Sequence, residues 1–355
     1  MTDDPKMSTE SIERLVDVAR LSNWISERGL AAGPMTNVTR LGGGSQNVIL
    51  RITQGGRDFV LRRPPACPRA ESDETMRREA RVLEALAHTD VPHPRLIGAC
   101  RDEKTLGFAF YLMEPVAGFN ALAGLPALHT HSRALRHRMG LALVDGAAAL
   151  ARVDYRAVGL EGFGNAEGYL ERQVARWRSQ LAGYTAHAGW PGAGSLPGLS
   201  ALEEYLERYR PAASKPGIIH GDYSIGNVMY RHDSADLAAI VDWELATIGD
   251  PLIDLGWILA TWRTPGEVDI GVLRVEPFEG FPTAAELIER YAAQSERDLS
   301  SMDWYVVMAC YKLAIILEGT FARAHAGRAA MATGLKLHAA AIRLCERALQ
   351  RIGRA

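Results

Sequence analysis

Residues 218 to 230 read Ile218-Ile-His-Gly-Asp-Tyr-Ser-Ile-Gly-Asn-Val-Met-Tyr230, and residues 239 to 244 read Ala239-Ile-Val-Asp-Trp-Glu244. A short apolar run, the pattern of a buried strand, delivers His220, Gly221 and Asp222 into a polar loop; Asn227 follows five residues after Asp222, and a second apolar run ends at Asp242. Groups of these types at these offsets suit phosphoryl transfer from ATP. One carboxylate can orient or deprotonate an attacking hydroxyl, while an amide oxygen and a second carboxylate are hard ligands for Mg²⁺ on the phosphates.

Upstream of this segment the pattern is that of a small β-rich region. Val48-Ile-Leu-Arg-Ile52 and Phe59-Val-Leu-Arg-Arg63 are β-branched and aromatic runs separated by a Gly-Gly turn, which predicts a hairpin. Leu41-Gly-Gly-Gly-Ser-Gln-Asn47 is a glycine-rich turn before the first run, and Pro64 and Pro65 end the second. Alternation puts Val60 and Arg62 on one face of that strand, opposite Arg63. Residues 72 to 88 return to helical period, with Met76, Ala80, Leu83 and Ala87 as the apolar stripe and Glu79 at its edge. Residues 8 to 30 carry a further helical pattern behind Ser and Thr caps. Phe108 to Gly118 reads as a strand that stops at Pro115 and Gly118. Downstream, residues 132 to 152, 166 to 184, 201 to 210 and most of 251 to 355 have helical periodicity. The organisation expected is a helical lead-in at 1–37, a β-rich lobe at 38–113, a hinge at 114–118 and a helical lobe at 119–355, an α+β chain.

Composition narrows the partners. In 355 residues, Lys plus Arg is 40 and Asp plus Glu 42, a formal charge of −2, so there is no global basic field to hold a nucleic acid. With 47% hydrophobic and 23% charged residues the chain has the balance of a globular protein. No uncharged apolar run of 18 residues and no leader-like apolar stretch is visible, so no membrane segment and a cytoplasmic location are expected. Cys67, Cys100, Cys310 and Cys345 are far apart in sequence, in neither a disulfide framework nor a zinc spacing.

The segment 218 to 244 resembles the catalytic loop of the protein-kinase-like fold in its small-molecule branch, the aminoglycoside phosphotransferase and choline kinase families, where the loop reads His-Gly-Asp. The resemblance spans residues 38 to 320 and implies a small antiparallel sheet with one key helix in the first lobe and a larger helical second lobe. It implies ATP and Mg²⁺ as cofactors, Asp222 as catalytic base, Asn227 and Asp242 as metal ligands, and His220 as a support of the loop. In Gly249-Asp-Pro-Leu-Ile-Asp-Leu-Gly-Trp257 it assigns Asp250 the role of bracing that loop. Phe59 to Arg62 matches the strand that ends in a phosphate-contacting lysine in protein kinases; here it ends in Arg62, as in choline kinases, with Glu79 as partner. Gly43, Gly44, Ser45 and Asn47 fall where backbone N–H groups would cradle phosphates, and Glu114 and Val116 where backbone groups would meet the adenine.

Three strings, Leu61-Arg-Arg-Pro-Pro65, Glu171-Arg-Gln-Val-Ala-Arg-Trp177 and Asp242-Trp-Glu-Leu-Ala-Thr-Ile-Gly-Asp-Pro251, resemble a subgroup that includes the kinase-like domain ahead of acyl-CoA dehydrogenase domains. The implied acceptor is a hydroxyl on an acyl chain, notably a 4-hydroxyacyl-CoA. Arg172, Gln173, Arg176 and Trp177 are the acceptor-side candidates. Residues 300 to 355 hold eight basic residues against Asp303, Glu318 and Glu346, a balance expected to suit an anionic acceptor. The competing readings are an aminoglycoside or amino-alcohol kinase (a choline or homoserine type) and a non-catalytic nucleotide-binding module, the latter suggested by Arg62 and by Trp243-Glu244 after the metal aspartate.

Overall fold

A computed structural model describes residues 12, 14–42, 47–65, 70–212 and 214–353. The chain forms two compact units. The first takes Met1–Ala117 with Val158–Leu160 and Ala239–Glu244; the second takes Gly118–Ala157, Glu161–Ala238 and Leu245–Ala355. The segment carrying Asp242, expected with the helical lobe, thus groups with the β-rich unit. There the Ile240 N–H donates to Pro92 O at 2.8 Å.

In the first unit, α1 (Val18–Glu27) precedes β1 (Met35–Arg40), β2 (Val48–Gln54), β3 (Arg57–Arg63), α2 (Ser72–Leu86), β4 (Leu96–Cys100) and β5 (Phe110–Met113). The five strands form an antiparallel sheet in the order β1-β2-β3-β5-β4. The β2–β3 hairpin forms as expected, turning through Gly55 and Gly56, both at positive φ. Residues 35–37, expected to be lead-in, belong instead to β1, an edge strand of largely exposed residues.

Period-two alternation sorts β3 into two environments. Phe59 and Leu61 face one side with Leu50, Ile52, Phe110 and Leu112, where Leu21, Trp24 and Ile25 of α1 complete the core. The Arg63 guanidinium leaves by that side, donating to Leu15 O and Pro65 O. Val60 and Arg62 face the other way; Arg62 meets Glu79 of α2, with Tyr111 of β5. Met76, Glu79, Ala80 and Leu83 recur at helical spacing, so the buried stripe of α2 includes the one carboxylate that Arg62 needs.

The second unit is helical. It contains α3 (Ala127–His131), α4 (Arg133–Arg152), α5 (Gln173–Gly183), α6 (Leu199–Arg208), α7 (Leu252–Thr261), α8 (Ala284–Ala292), α9 (Met302–His325) and α10 (Met331–Ile352). β6 (Gly217–Ile219) pairs antiparallel with β9 (Thr247–Gly249), and β7 (Val228–Tyr230) and β8 (Leu237–Ile240) form another two-stranded sheet. The helix α9 packs along α10 and α7. It is long and apolar enough by composition to cross a bilayer, but 83% of that stretch is buried within the fold, as in a core helix.

Candidate active site

The β-rich unit contributes one guanidinium among three carboxylates. Arg62 Nε lies 2.9 Å from Glu79 Oε2, Arg62 Nη2 donates to Asp242 Oδ1 at 2.5 Å, and Glu244 Oε2 lies 3.9 Å from Nη2. Tyr111 Oη donates to Glu79 Oε2 at 2.8 Å, and Asn47 Nδ2 to Glu244 Oε2 at 3.1 Å. Glu79 is fully buried, and that burial, aggravated by Asp242 and Glu244, pushes its carboxyl up while Arg62 holds it down. Burial works against the Arg62 charge, but Glu79 and Asp242 outweigh it and hold the guanidinium protonated. Asp242 sits at φ 68, a conformation that costs a non-glycine residue of order 1–3 kcal/mol and clusters at functional positions.

One positive charge facing three carboxylates leaves an excess of negative charge, and the Asp242 side chain is 39% exposed. This is where a divalent cation fits the donors present. Among the described residues no three His, Cys, Asp or Glu side chains form a metal cage by themselves. A Mg²⁺ ion held mainly by phosphate oxygens, waters and one or two protein oxygens has no need of one.

The helical unit contributes the His-Gly-Asp turn, which is tied from several directions. Asp254, at the start of α7, accepts from the backbone N–H of His220 at 2.7 Å and of Gly221 at 2.9 Å. Asp250, expected to be this brace, does something else: it accepts from Leu252 N at 3.0 Å and from Tyr305 Oη at 2.8 Å. The two aspartates are four residues apart and both are buried, and it is the second that reaches the turn. Burial pushes the Asp254 carboxyl up to about 7, against the two backbone donors that lower it. The His220 ring accepts from Asp222 N at 3.3 Å and packs edge-on against Tyr223. Asn227 Nδ2 donates to Asp222 O and to Asp222 Oδ2, both at 2.8 Å, which leaves the Asn227 amide oxygen as its hard donor. Asp222 and Asn227 are half-buried; the residues between them are mostly buried.

Gly221 is required by the turn. It sits at φ 88, and a Cβ there would lie 2.5 Å from Leu245 O. Gly221→Ala is expected to cost more than the roughly 1–2 kcal/mol of the backbone conformation alone, because the clash is with backbone. A urea midpoint shifted to lower concentration checks it.

The remaining expectations divide. Gly43, Gly44 and Ser45 lie outside the described residues. The Glu114 N–H already donates to Arg95 O at 2.9 Å, so of that residue's backbone the carbonyl is the group to offer an adenine; Val116 follows in the segment after β5. Gln173 and Trp177 are buried, Trp177 Nε1 donating to Gln173 Oε1 at 3.3 Å. Arg172 donates to the carbonyls of Asn165 and Glu167, while Arg176 is exposed, its guanidinium over the Trp177 ring. Three residues of the basic C-terminal region are engaged within the fold. Lys312 and Arg347 are buried, and Arg347 and Arg351 are paired with Glu267, and Arg351 also with Asp303.

An open cleft in the helical unit is lined by Ile225, Trp262, Val272, Leu273, Val275 and Phe278 among others. Ile225 belongs to the His-Gly-Asp loop, three residues after Asp222. The arginines on its walls have carboxylate partners within the chain: Arg263 with Glu276 at 3.2 Å, Arg274 with Asp269 at 2.6 Å, and Arg347 with Glu267.

The sheet with a buried Arg–Glu pair and the helical unit with a braced His-Gly-Asp turn define a protein-kinase-like phosphotransferase fold. Residues 37–305 match the phosphotransferase enzyme family, and the chain belongs to that family. It is similar to acyl-CoA dehydrogenase family member 11 of Gallus gallus, 30% identical over 301 residues, which cover 82% of this chain and 37% of that protein. It is 28% identical over 311 residues to member 10 of Mus musculus, covering 85% of this chain and 28% of that protein. The chain spans 28% to 40% of the length of the curated relatives it matches. Among solved structures, a candidate aminoglycoside phosphotransferase from Ralstonia eutropha matches with TM-score 0.79 at 30% identity, covering 96% of this chain and 99% of that one.

Proposed function

We propose that this small-molecule phosphotransferase uses Mg²⁺ and ATP to phosphorylate the hydroxyl of an acyl-type acceptor such as a hydroxyacyl-CoA. The observation that carries the reading is the Asp222–Asn227 pair on a turn whose backbone is fixed by Asp254. The pair presents a half-exposed carboxylate as base, next to an amide that keeps its oxygen for a metal. Asp222 would accept the proton of the attacking hydroxyl. Asn227 and Asp242 would hold Mg²⁺, which supplies charge neutralisation on the phosphates, and Arg62, kept charged by Glu79, would supply the fork for a phosphate oxygen.

The nature of the cleft supports an uncharged, chain-like portion of the acceptor. Its walls are mostly apolar, and its one lining carboxylate, Asp269, is already engaged by Arg274, whereas a polycationic aminoglycoside needs carboxylates free to meet its ammonium groups. The exposed Arg263 and Arg274 pairs contribute only about 0–1 kcal/mol each, so either guanidinium can be exchanged toward an anionic group of the acceptor. The names of the relatives, acyl-CoA dehydrogenase family members, are consistent with an acyl acceptor.

A panel of 4-hydroxyacyl-CoAs, aminoglycosides, choline and homoserine with Mg·ATP tests this. The expected result is ADP release stimulated by a hydroxyacyl-CoA alone. Stimulation by an aminoglycoside, choline or homoserine would replace the acceptor class, and Mg·ATP binding with no transfer to any of them would favour the non-catalytic reading.

A further inference from the structure

Lys312 stands inside α9, in the run Trp304-Tyr-Val-Val-Met-Ala-Cys-Tyr-Lys-Leu-Ala-Ile-Ile315, and is only 8% exposed. A lysine this deeply buried is rare without an ion-pair partner. Among the described residues no carboxylate lies within ion-pair distance of it. Its ammonium instead donates to Gly221 O at 2.6 Å and rests over the rings of Trp257 at 4.5 Å and Trp177 at 5.5 Å. The carboxylates that act on it electrostatically are Asp222 and Asp254, with Arg176 opposing. The turn is thereby held at both ends of one residue: Asp254 takes the N–H of His220 and Gly221, and Lys312 takes the carbonyl that leads into Asp222.

We propose that Lys312 is a positioning residue of the phosphotransfer reaction, which fixes the Gly221–Asp222 peptide through a charged donor. The inference rests on the reading of Asp222 as the base. A buried ammonium held by a carbonyl and two indoles costs desolvation energy that an apolar side chain of similar volume would avoid, and α9 is otherwise ready to pack one. Burial pulls the Lys312 pKa down to about 8, with Asp222 and Asp254 holding it up, so the group still carries its charge at neutral pH. The two tryptophans give that charge a favourable surface without offering a competing acceptor to the Nζ–H groups.

The test compares Lys312→Met, Lys312→Gln and Lys312→Arg in the full chain by two readouts. In amide hydrogen exchange, Lys312→Met is expected to speed exchange within residues 218–230 while leaving the rest of α9 and α7 protected. In steady-state kinetics with the acceptor turned over by the wild type, it is expected to lower kcat by up to about 10²-fold with the KM for ATP unchanged, because a small misplacement of the base acts on the transition state. Lys312→Arg, which keeps charge, donors and stacking, should recover more of kcat than Lys312→Gln, which keeps a donor alone. Unchanged exchange at 218–230 in Lys312→Met would overturn the proposal, as would a wild-type kcat in that variant or equal kcat values for the Arg and Gln variants. If the wild type transfers no phosphoryl group, the assignment of the reaction fails, while the exchange experiment still decides whether Lys312 fixes the turn.

Discussion

Replacing Asp222 by asparagine is expected to lower kcat by about 10²–10⁴-fold, the contribution of a positioned general base, with the KM for ATP little changed. The amide keeps the shape of the carboxylate, and its oxygen can still accept from Asn227 Nδ2, a bond of 2.8 Å in the wild type. What the variant loses is the capacity to take a proton. Two effects on the fold oppose each other: the substitution removes a carboxylate whose charge works against the buried Asp254, and the same carboxylate helps to hold the buried Lys312 charge. Single-turnover measurements with saturating Mg·ATP, together with a thermal melt close to that of the wild type, check both halves. Loss of activity accompanied by a lowered melting temperature would mean that the turn itself had moved.

The second large effect is expected at Arg62. Arg62→Met leaves Glu79 buried with no cation and brings its charge into conflict with Asp242 and Glu244. Removing one partner of a buried ion pair is expected to cost about 3–5 kcal/mol, far more than an exposed pair. Part of that loss is relieved if Glu79 takes up a proton, which its raised pKa makes inexpensive, so the deficit in urea stability should shrink as the pH is lowered from 8 to 6. The sign follows from the pair: in the variant, folding favours protonated Glu79, so acid helps the folded state. Arg62→Lys should fall between the two, keeping the charge but not a fork that spans Glu79 and Asp242 at once. Equilibrium unfolding of the three proteins at the two pH values decides it.

Much of the fold could be read from residue order because the relevant signals are local. The hairpin of β2 and β3 announces itself through its Gly-Gly turn and strict alternation, and alternation alone separates Arg62 from Arg63, which the structure sends to opposite faces of the sheet. The edge strand β1 escaped because Met35-Thr-Asn-Val-Thr-Arg40 is mostly exposed and lacks an apolar stripe. Of the candidate residues, His220, Asp222, Asn227 and Asp242 fall within one short stretch of sequence with recognisable spacing. Asp254 was missed because two aspartates four residues apart on the same helical start are equivalent until the fold shows which carboxylate faces the strand ends. The signal for Lys312 was present, a single lysine interrupting a long apolar run, but charge counting merged it with Arg347 and Arg351, whose partners are elsewhere. Charge balance over a segment says nothing of which charges are already spent inside the fold. The burial of Gln173 and Trp177 was not legible for the converse reason: a polar and an amphipathic residue four apart on a helix can satisfy each other in the core.

The central claim is that the chain moves the γ-phosphoryl group of ATP onto an alcohol oxygen. Phosphorus NMR of a reaction containing the protein, Mg·ATP and a 4-hydroxyacyl-CoA tests it most directly. The account predicts a phosphate monoester resonance that grows in step with ADP, requires Mg²⁺ and is absent with Asp222→Asn. Growth of inorganic phosphate alone, or a monoester formed equally by the Asp222→Asn variant, would contradict it.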